Sequence, residues 1–402
     1  MNIIYINNDG ERVDRELEHL QAEQTIAASS EATFEAHTKP ELFALLHKAI
    51  ELGVTPVLFD SKIESISERV REMGIKPYSE KSDESALPLS AYALFFTSGT
   101  TGVPTGAIKN RENIQGELDA LQALFEPEAF ERVIVTVPFI HIYGFLSGLM
   151  LPKRLGCEVV LKEEYYPQEL TTLHEGRKTL VVTSPVYIKA LLRLNREHDL
   201  SNVVFLSSTG LLGEEEVARF EKQYTSRLLQ LFGSTETGGV AIKRGSGPFW
   251  EPLKGVLVGK NHESRLVVDS PYLSTHLFEE RVTLMKRPYT TTDIIELQEK
   301  SFKLLGRANE IVKVSGKRIS VVELENLIEN ELGAAEVLIG IKKEDGRLKD
   351  ESLDIRIAGR KMPGENEVKA LFKRHYPATN FSFVLTGVQR IEKNSMGKKV
   401  RR

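Results

Sequence analysis

The sequence predicts an α/β fold: a large domain on a mostly parallel sheet, then short antiparallel strands, then a small α+β unit. Two observations carry this. Helical stretches alternate with short, almost wholly apolar strands up to about residue 206, the pattern of a parallel sheet with helices on both faces. The texture then changes twice, near residues 240 and 307, without a low-complexity linker.

Residues 41–60, ELFALLHKAIELGVTPVLFD, read as an amphipathic helix, a glycine stop and a β-rich strand. The rhythm recurs at 115–137, where a helix precedes VIVTVPF. It recurs again at 170–186 (helix, then TLVVTSP) and at 190–206 (helix, then NVVFLSS). From about 240 come Gly- and Pro-rich pieces with the short strands GVLVG, SRLVVD and IIELQ, which look antiparallel. After Gly306 follow KVSGKRISVVELENLIENEL, VLIGIKK, LDIRIAG, a helix and a terminal strand, with a short hinge expected near 307–309.

Composition narrows the classes. The 402 residues, 41% hydrophobic and 27% charged, suit two or three globular domains. Apolar runs such as Val133–Val137 and Val203–Leu206 fall far short of the roughly 20 residues of a membrane span. Acids in MNIIYINNDGERVDRE stand where a signal peptide would be apolar. Cys157 is the only cysteine, which excludes internal disulfides and cysteine-based zinc or iron–sulfur sites. The expectation is a soluble, cytoplasmic protein. Residues 308–402 carry +5 and the rest −9, so a basic C-terminal unit could meet an anionic partner or simply be solvated. No basic run with interleaved aromatics points to nucleic acid.

Two segments carry chemistry. In Thr97-Ser98-Gly99-Thr100-Thr101-Gly102-Val103-Pro104-Thr105-Gly106, an apolar strand runs into glycines and hydroxyls, and a helix follows. Such a loop can turn N–H and O–H donors toward an anion, and no Gly-Lys-Ser/Thr closes it as a Walker loop. The alternative is a hydroxyl-rich surface turn. In Leu231-Phe232-Gly233-Ser234-Thr235-Glu236-Thr237-Gly238-Gly239, an aromatic ring could stack on a base, Thr235 could hold a phosphate oxygen, and Glu236 could hold Mg²⁺. A capped helix start would look much the same.

In this order and spacing, the two segments resemble the adenylate-forming superfamily of acyl- and aryl-CoA synthetases, non-ribosomal peptide synthetase adenylation domains and luciferases. Further matches follow in sequence. Val137-Pro138-Phe139-Ile140-His141-Ile142-Tyr143-Gly144 resembles the acyl-pocket segment, and Ser207-Ser208-Thr209-Gly210-Leu211 the adenine loop. Thr292-Asp293 resembles the ribose-holding segment, and Leu305-Gly306-Arg307-Ala308-Asn309 the hinge. Residues 313–319, around Gly316, resemble the thiol-entry loop, and Asn394-Ser395-Met396-Gly397-Lys398 the segment of the catalytic lysine.

The resemblance implies an N-terminal domain, 1–307, of stacked mostly parallel sheets plus a small β-barrel-like part, and a small mobile α+β domain, 308–402. It implies ATP and Mg²⁺, with the 97–102 hydroxyls and glycines on the β- and γ-phosphates. Thr209, Gly210, Phe232, Gly233, Ser234, Asp293 and Arg307 fall on the nucleotide. Thr235, Glu236 (holding the metal) and Lys398 fall at the reacting α-phosphate, and His141 in the acyl pocket. Rotation at Asn309 exchanges Lys398 for the loop at Gly316. The implied reaction adenylates an aryl or acyl acid and transfers it to CoA or the phosphopantetheine of an acyl carrier protein. The His-Ile-Tyr-Gly form, lacking the aspartate of amino-acid-activating members, disfavours an amino acid. Other readings are a non-catalytic nucleotide-binding or scaffold relative, or an adenylating enzyme with a non-thiol acceptor.

Three departures stand out. Thr105 replaces the usual loop lysine, with Lys109 close by in sequence. Thr292 replaces the glycine before Asp293. The phosphate loop begins at Thr97, so the N-terminal subdomain is abbreviated and its sheet either smaller or covered by a partner.

Overall fold

A computed structural model describes the chain except residues 83–84, 98–104, 195, 280, 315–316, 335, 343–350, 360, 378, 394–398 and 400–402. Two compact units emerge: 1–257 with 268–289, and 258–267 with 290–402. Residues 290–307 therefore pack with the C-terminal unit, although a boundary after 307 is expected from the sequence. They form a hairpin, Tyr289–Gln298 with Ser301–Arg307, whose pairing runs from Asp293↔Arg307 to Gln298↔Ser301.

The first unit contains the parallel sheet. Strands Glu158–Lys162, Arg132–Val135, Thr179–Thr183, Val203–Ser207 and Arg227–Ser234 lie side by side and parallel. Their near-continuous burial matches their apolar sequences, as expected for strands covered on both faces. The N-terminal hairpin, Asn2–Ile6 with Arg12–Glu16, extends the sheet beside Glu158–Lys162. Its outer strand, RVDRE, is largely exposed, and such charge discourages further strand pairing. A second sheet holds Glu31–Thr33, Thr55–Leu58, Ala91–Thr97, Thr105–Asn110, His276–Phe278 and Val282–Leu284 in that order.

Local signals explain the helices. Helix Lys39–Leu52 starts where the Thr38 side chain accepts the Glu41 N–H, and stops at Gly53 in the left-handed conformation (φ 75°). Helix Arg111–Phe125 starts at Asn110, which exchanges side-chain bonds with Asn113 in a capping box. The helix expected near residue 170 is absent: a 3₁₀ turn, Pro167–Thr171, stands there, and Glu175 and Gly176 adopt φ of 50° and 76°, which no right-handed helix continues through.

In the second unit, helices Val321–Glu331 and Glu365–His375 accompany a sheet of Glu336–Lys342, Ser352–Ala358 and Phe383–Val388. A core including Leu324, Ile328, Ile355 and Phe372 joins them, which is the α+β texture the sequence predicts. No helix among the described residues is long and apolar enough to cross a membrane.

Candidate active site

In an open parallel sheet, ligands gather outside the carboxyl ends of the strands. Three candidate segments leave the sheet of the first unit at that edge: 137–143 after Arg132–Val135, 208–211 after Val203–Ser207, and 232–237 at the end of Arg227–Ser234. Side chains stitch neighbouring strand ends together. Thr136 Oγ1 bonds Thr183 Oγ1 at 2.9 Å, Tyr143 Oη donates to the Leu206 carbonyl at 2.6 Å, and Ser208 Oγ donates to the Leu231 carbonyl at 2.8 Å. Segments 137–143, 208–211 and 232–237 are thus held in one row.

The 231–239 segment is a β-hairpin, which removes the capped-helix alternative. Ser234 faces Gly238 and Gly233 faces Gly239, with a bulge between Phe232 and Gly233. Ser234 and Thr237 close the turn: the Ser234 N–H donates to Thr237 Oγ1 at 2.9 Å and the Thr237 N–H to Ser234 Oγ at 3.2 Å. Ser234 is thus committed to turn closure. Thr235 and Glu236, both half-buried, occupy the tip. The Ser274 N–H donates to the Glu236 carbonyl at 2.9 Å, and Ser274 Oγ to the Thr235 carbonyl at 3.3 Å. The Glu236 carboxylate makes no hydrogen bond or ion pair among the described residues.

No group of three His, Cys, Asp or Glu side chains among the described residues could cage a metal. One unpaired carboxylate suits Mg²⁺, which typically takes one or two carboxylates and leaves other positions to water and phosphate. The donor set at Glu236 therefore fits the ion.

Phe232 lies against Trp250, ring centroids 5.5 Å apart, at the end of its strand. Thr209 takes φ 76°, unusual for a non-glycine residue, and Gly210 beside it is exposed. His141 is half-buried, and burial pushes its pKa below the usual histidine value, with Asp60 opposing. Its imidazole is therefore neutral near pH 7.

In the second unit, Asp293 and Arg307 come together across their hairpin, Arg307 Nε lying 3.4 Å from Asp293 Oδ1. Thr291 Oγ1 accepts the Asp293 N–H at 3.0 Å. Burial raises the Asp293 pKa above the usual aspartate value, while Arg307 and Thr291 pull it down. The side chains of Thr97 and Asn309, and residues 98–102, Gly316 and Lys398, lie outside the described structure.

Lys109 does not stand in for the missing loop lysine. It is fully buried, and its ammonium donates to the Tyr272 carbonyl at 2.7 Å and the Glu236 carbonyl at 3.2 Å. Glu117, also buried, accepts the Gly239 N–H at 2.7 Å. Burial drives the Lys109 pKa down and the Glu117 pKa up, and each charge opposes the other's shift. The sequence reading missed Glu117, although a signal exists: it shares the buried face of its helix with Ile114, Leu118 and Leu121, where an unpaired acid is costly.

Comparison with known proteins gives the family and the fold. The family model described as AMP-binding enzyme matches residues 2–268. Curated relatives include a long-chain-fatty-acid–CoA ligase of Bacillus subtilis, 28% identical over 208 residues, covering 50% of this chain and 35% of the relative. A 4-coumarate–CoA ligase of Cereibacter sphaeroides is 25% identical over 289 residues, covering 71% and 64% respectively. The chain spans less than two thirds of these relatives' lengths. Among solved structures, an o-succinylbenzoate CoA synthetase of Bacillus subtilis in complex with its acyl-adenylate intermediate superposes with a TM-score of 0.81. That alignment has 16% identity and covers 98% of this chain and 94% of the other, a likeness of fold.

Proposed function

Because the chain belongs to the AMP-binding enzyme family, we propose that it is an ATP-dependent acid–thiol ligase for an aryl or acyl carboxylate. In the first half-reaction a carboxylate oxygen attacks the α-phosphorus of ATP, the acyl–O–P bond forms, and pyrophosphate leaves. In the second, a thiol of CoA or of a phosphopantetheinyl carrier protein takes the acyl group, and AMP leaves. The observation that carries this reading is the Glu236 carboxylate, without a partner among the described residues, on a turn whose backbone is hydrogen-bonded into place at the carboxyl edge of the parallel strands.

The residues divide the work by charge. Bound Mg²⁺ would offset the phosphate charge that repels the incoming carboxylate. Glu236 holds it, and Thr235 donates to an α-phosphate oxygen. The hydroxyls and N–H groups of 97–102 take the β- and γ-phosphates, the Asp293–Arg307 pair the ribose hydroxyls, and the Thr209–Gly210 and Phe232–Ser234 segments the adenine side. Lys398 supplies the cation where carboxylate meets α-phosphate, and Gly316 opens the thiol path after rotation at Asn309. Neutral His141 lines the acyl pocket. The names of the fatty-acid and 4-coumarate ligases support the acid class.

Pyrophosphate release from ATP and Mg²⁺, across aryl and fatty acids with and without CoA, tests the reading. Acid-dependent release supports it, and a further rise with CoA makes CoA the acceptor. Release that rises only with a phosphopantetheinylated carrier protein makes that the acceptor. Folded protein that binds ATP and releases no pyrophosphate with any acid overturns the reading in favour of a non-catalytic relative.

A further inference from the structure

The carboxylate of Glu236 makes no hydrogen bond or ion pair among the described residues, while the backbone beneath it is held twice. Its carbonyl accepts two bonds, from the Ser274 N–H at 2.9 Å and from the Lys109 ammonium at 3.2 Å. That ammonium also grips the Tyr272 carbonyl, two residues from Ser274, at 2.7 Å. One buried cation thus fixes the turn and the segment that braces it. The return strand is held from the other side, because Glu117 accepts the Gly239 N–H at 2.7 Å.

Glycines make room for the acid. A Cβ at Gly238 would stand 2.4 Å from Glu117 Oε2, and one at Gly239 2.8 Å from Glu117 Oε1. Neither charge is there for solvation, since Lys109 is 0% and Glu117 3% exposed. A buried ammonium is costly unless its donors and charge are answered. Here two backbone carbonyls answer the donors, and the charges of Glu117 and then Glu236 favour the ammonium against its burial and against Arg287.

We propose that Lys109, together with Glu117, which holds the return strand of the same hairpin, is a positioning residue for the metal-holding carboxylate of Glu236. The pair ties the strand Thr105–Asn110, which follows the phosphate segment in sequence, to the turn that carries the α-phosphate and metal groups. This inference rests on the reading of Glu236 given above. It also separates two roles for lysine: Lys109 sets geometry from below and does not meet the phosphates.

Calorimetric titration of ATP, in Mg²⁺ and in EDTA, into the wild type, Lys109→Met and Lys109→Met/Glu117→Gln tests it. The double variant carries no unpaired buried charge, so it keeps the test available if Lys109→Met fails to fold. In both variants the gain in ATP affinity that Mg²⁺ brings falls by about 10- to 100-fold, the scale for losing a residue that orients a metal ligand, while metal-free affinity stays within about threefold. In the double variant the melting temperature recovers towards wild type and the metal gain does not. An undiminished Mg²⁺ gain in a folded variant overturns the inference and leaves Glu236 untouched. Equal weakening with and without Mg²⁺ also overturns it, because the pair then serves the fold alone. A wild type indifferent to Mg²⁺ overturns the reading of Glu236 and this inference with it.

Discussion

Gly233→Ala is the sharpest perturbation of the site. An added Cβ would lie 2.2 Å from the Gly238 carbonyl oxygen and 3.0 Å from the Gly239 Cα, whereas ordinary contact begins at 3.4 Å, so the hairpin arms must part by about 1.2 Å. Both obstacles are backbone, so no side-chain rotation relieves them. The displacement falls on the turn between the arms, where Thr235 and Glu236 sit. A misplacement of about 1 Å can cost about 10²-fold in rate, and overpacking a tight contact costs about 1–3 kcal/mol of stability. Gly233→Ala is therefore expected to lower kcat/KM for acid-dependent pyrophosphate release about 10²-fold and to unfold at lower urea. Gly247→Ala, where a Cβ meets nothing within 4 Å, is the control and should match wild type. A Gly233→Ala enzyme within about threefold of wild type would refute the placement of the 233–239 turn at the reacting phosphate.

Other perturbations probe the same picture. His47 is buried, its Nε2 is 3.2 Å from the Leu149 carbonyl, and burial lowers its pKa to about 4, with Lys153 adding to the shift. The folded state thus binds this proton less readily than the unfolded state, so stability is full above about pH 6.5 and is lost as pH falls toward 4, by about 3 kcal/mol. In urea titrations His47→Gln should flatten that acid limb, and parallel limbs for the two proteins would count against it. Lys399 meets Glu329 at 2.7 Å and buried Glu325 at 3.3 Å, so Lys399→Met should destabilise the second unit by about 3 kcal/mol. Adding Glu325→Gln should recover part of the loss, and no recovery would remove the ion pair as its cause. Lys398→Ala should cut adenylation by about 10²–10³ while sparing thioesterification of a supplied acyl-adenylate. Gly316→Trp should do the reverse, and equal loss of both half-reactions in either variant would rule out alternating use of the two loops.

Much of the fold is legible because its grammar is local. Apolar quartets such as Val203–Leu206 are strands because an almost wholly apolar run needs cover on both faces, and the Gly53 stop has no Cβ penalty at φ 75°. The reading fails at 170–178, where Leu170 and Leu173 have helical spacing but the chain turns through two left-handed residues. It also sets a boundary after 307, whereas the compact units divide after 289. The texture does change at 307, but residues 290–307 group with the C-terminal unit, and nothing in their local pattern says which unit they join. Among the candidate groups, the first unit gathers segments at strand ends, a consequence of parallel topology. The Asp293–Arg307 pair follows from hairpin register, which the sequence of either strand alone does not reveal.

Lysine bookkeeping shows the same limit in chemical form. Proximity in sequence makes Lys109 look like a substitute for the cation absent at Thr105, yet a strand fixes which way a side chain goes and what it meets. Lys109 lies buried against two carbonyls, and its charge opposes that of Glu117. Its charge is therefore used to hold the turn and is not available to leaving pyrophosphate. Charge neutralisation in the proposed reaction must then fall more heavily on the metal at Glu236 and on Lys398. A carboxylate without a partner among the described residues, on a hydrogen-bonded turn, would suit that load, because Mg²⁺ typically takes one or two carboxylates and leaves other positions to phosphate and water.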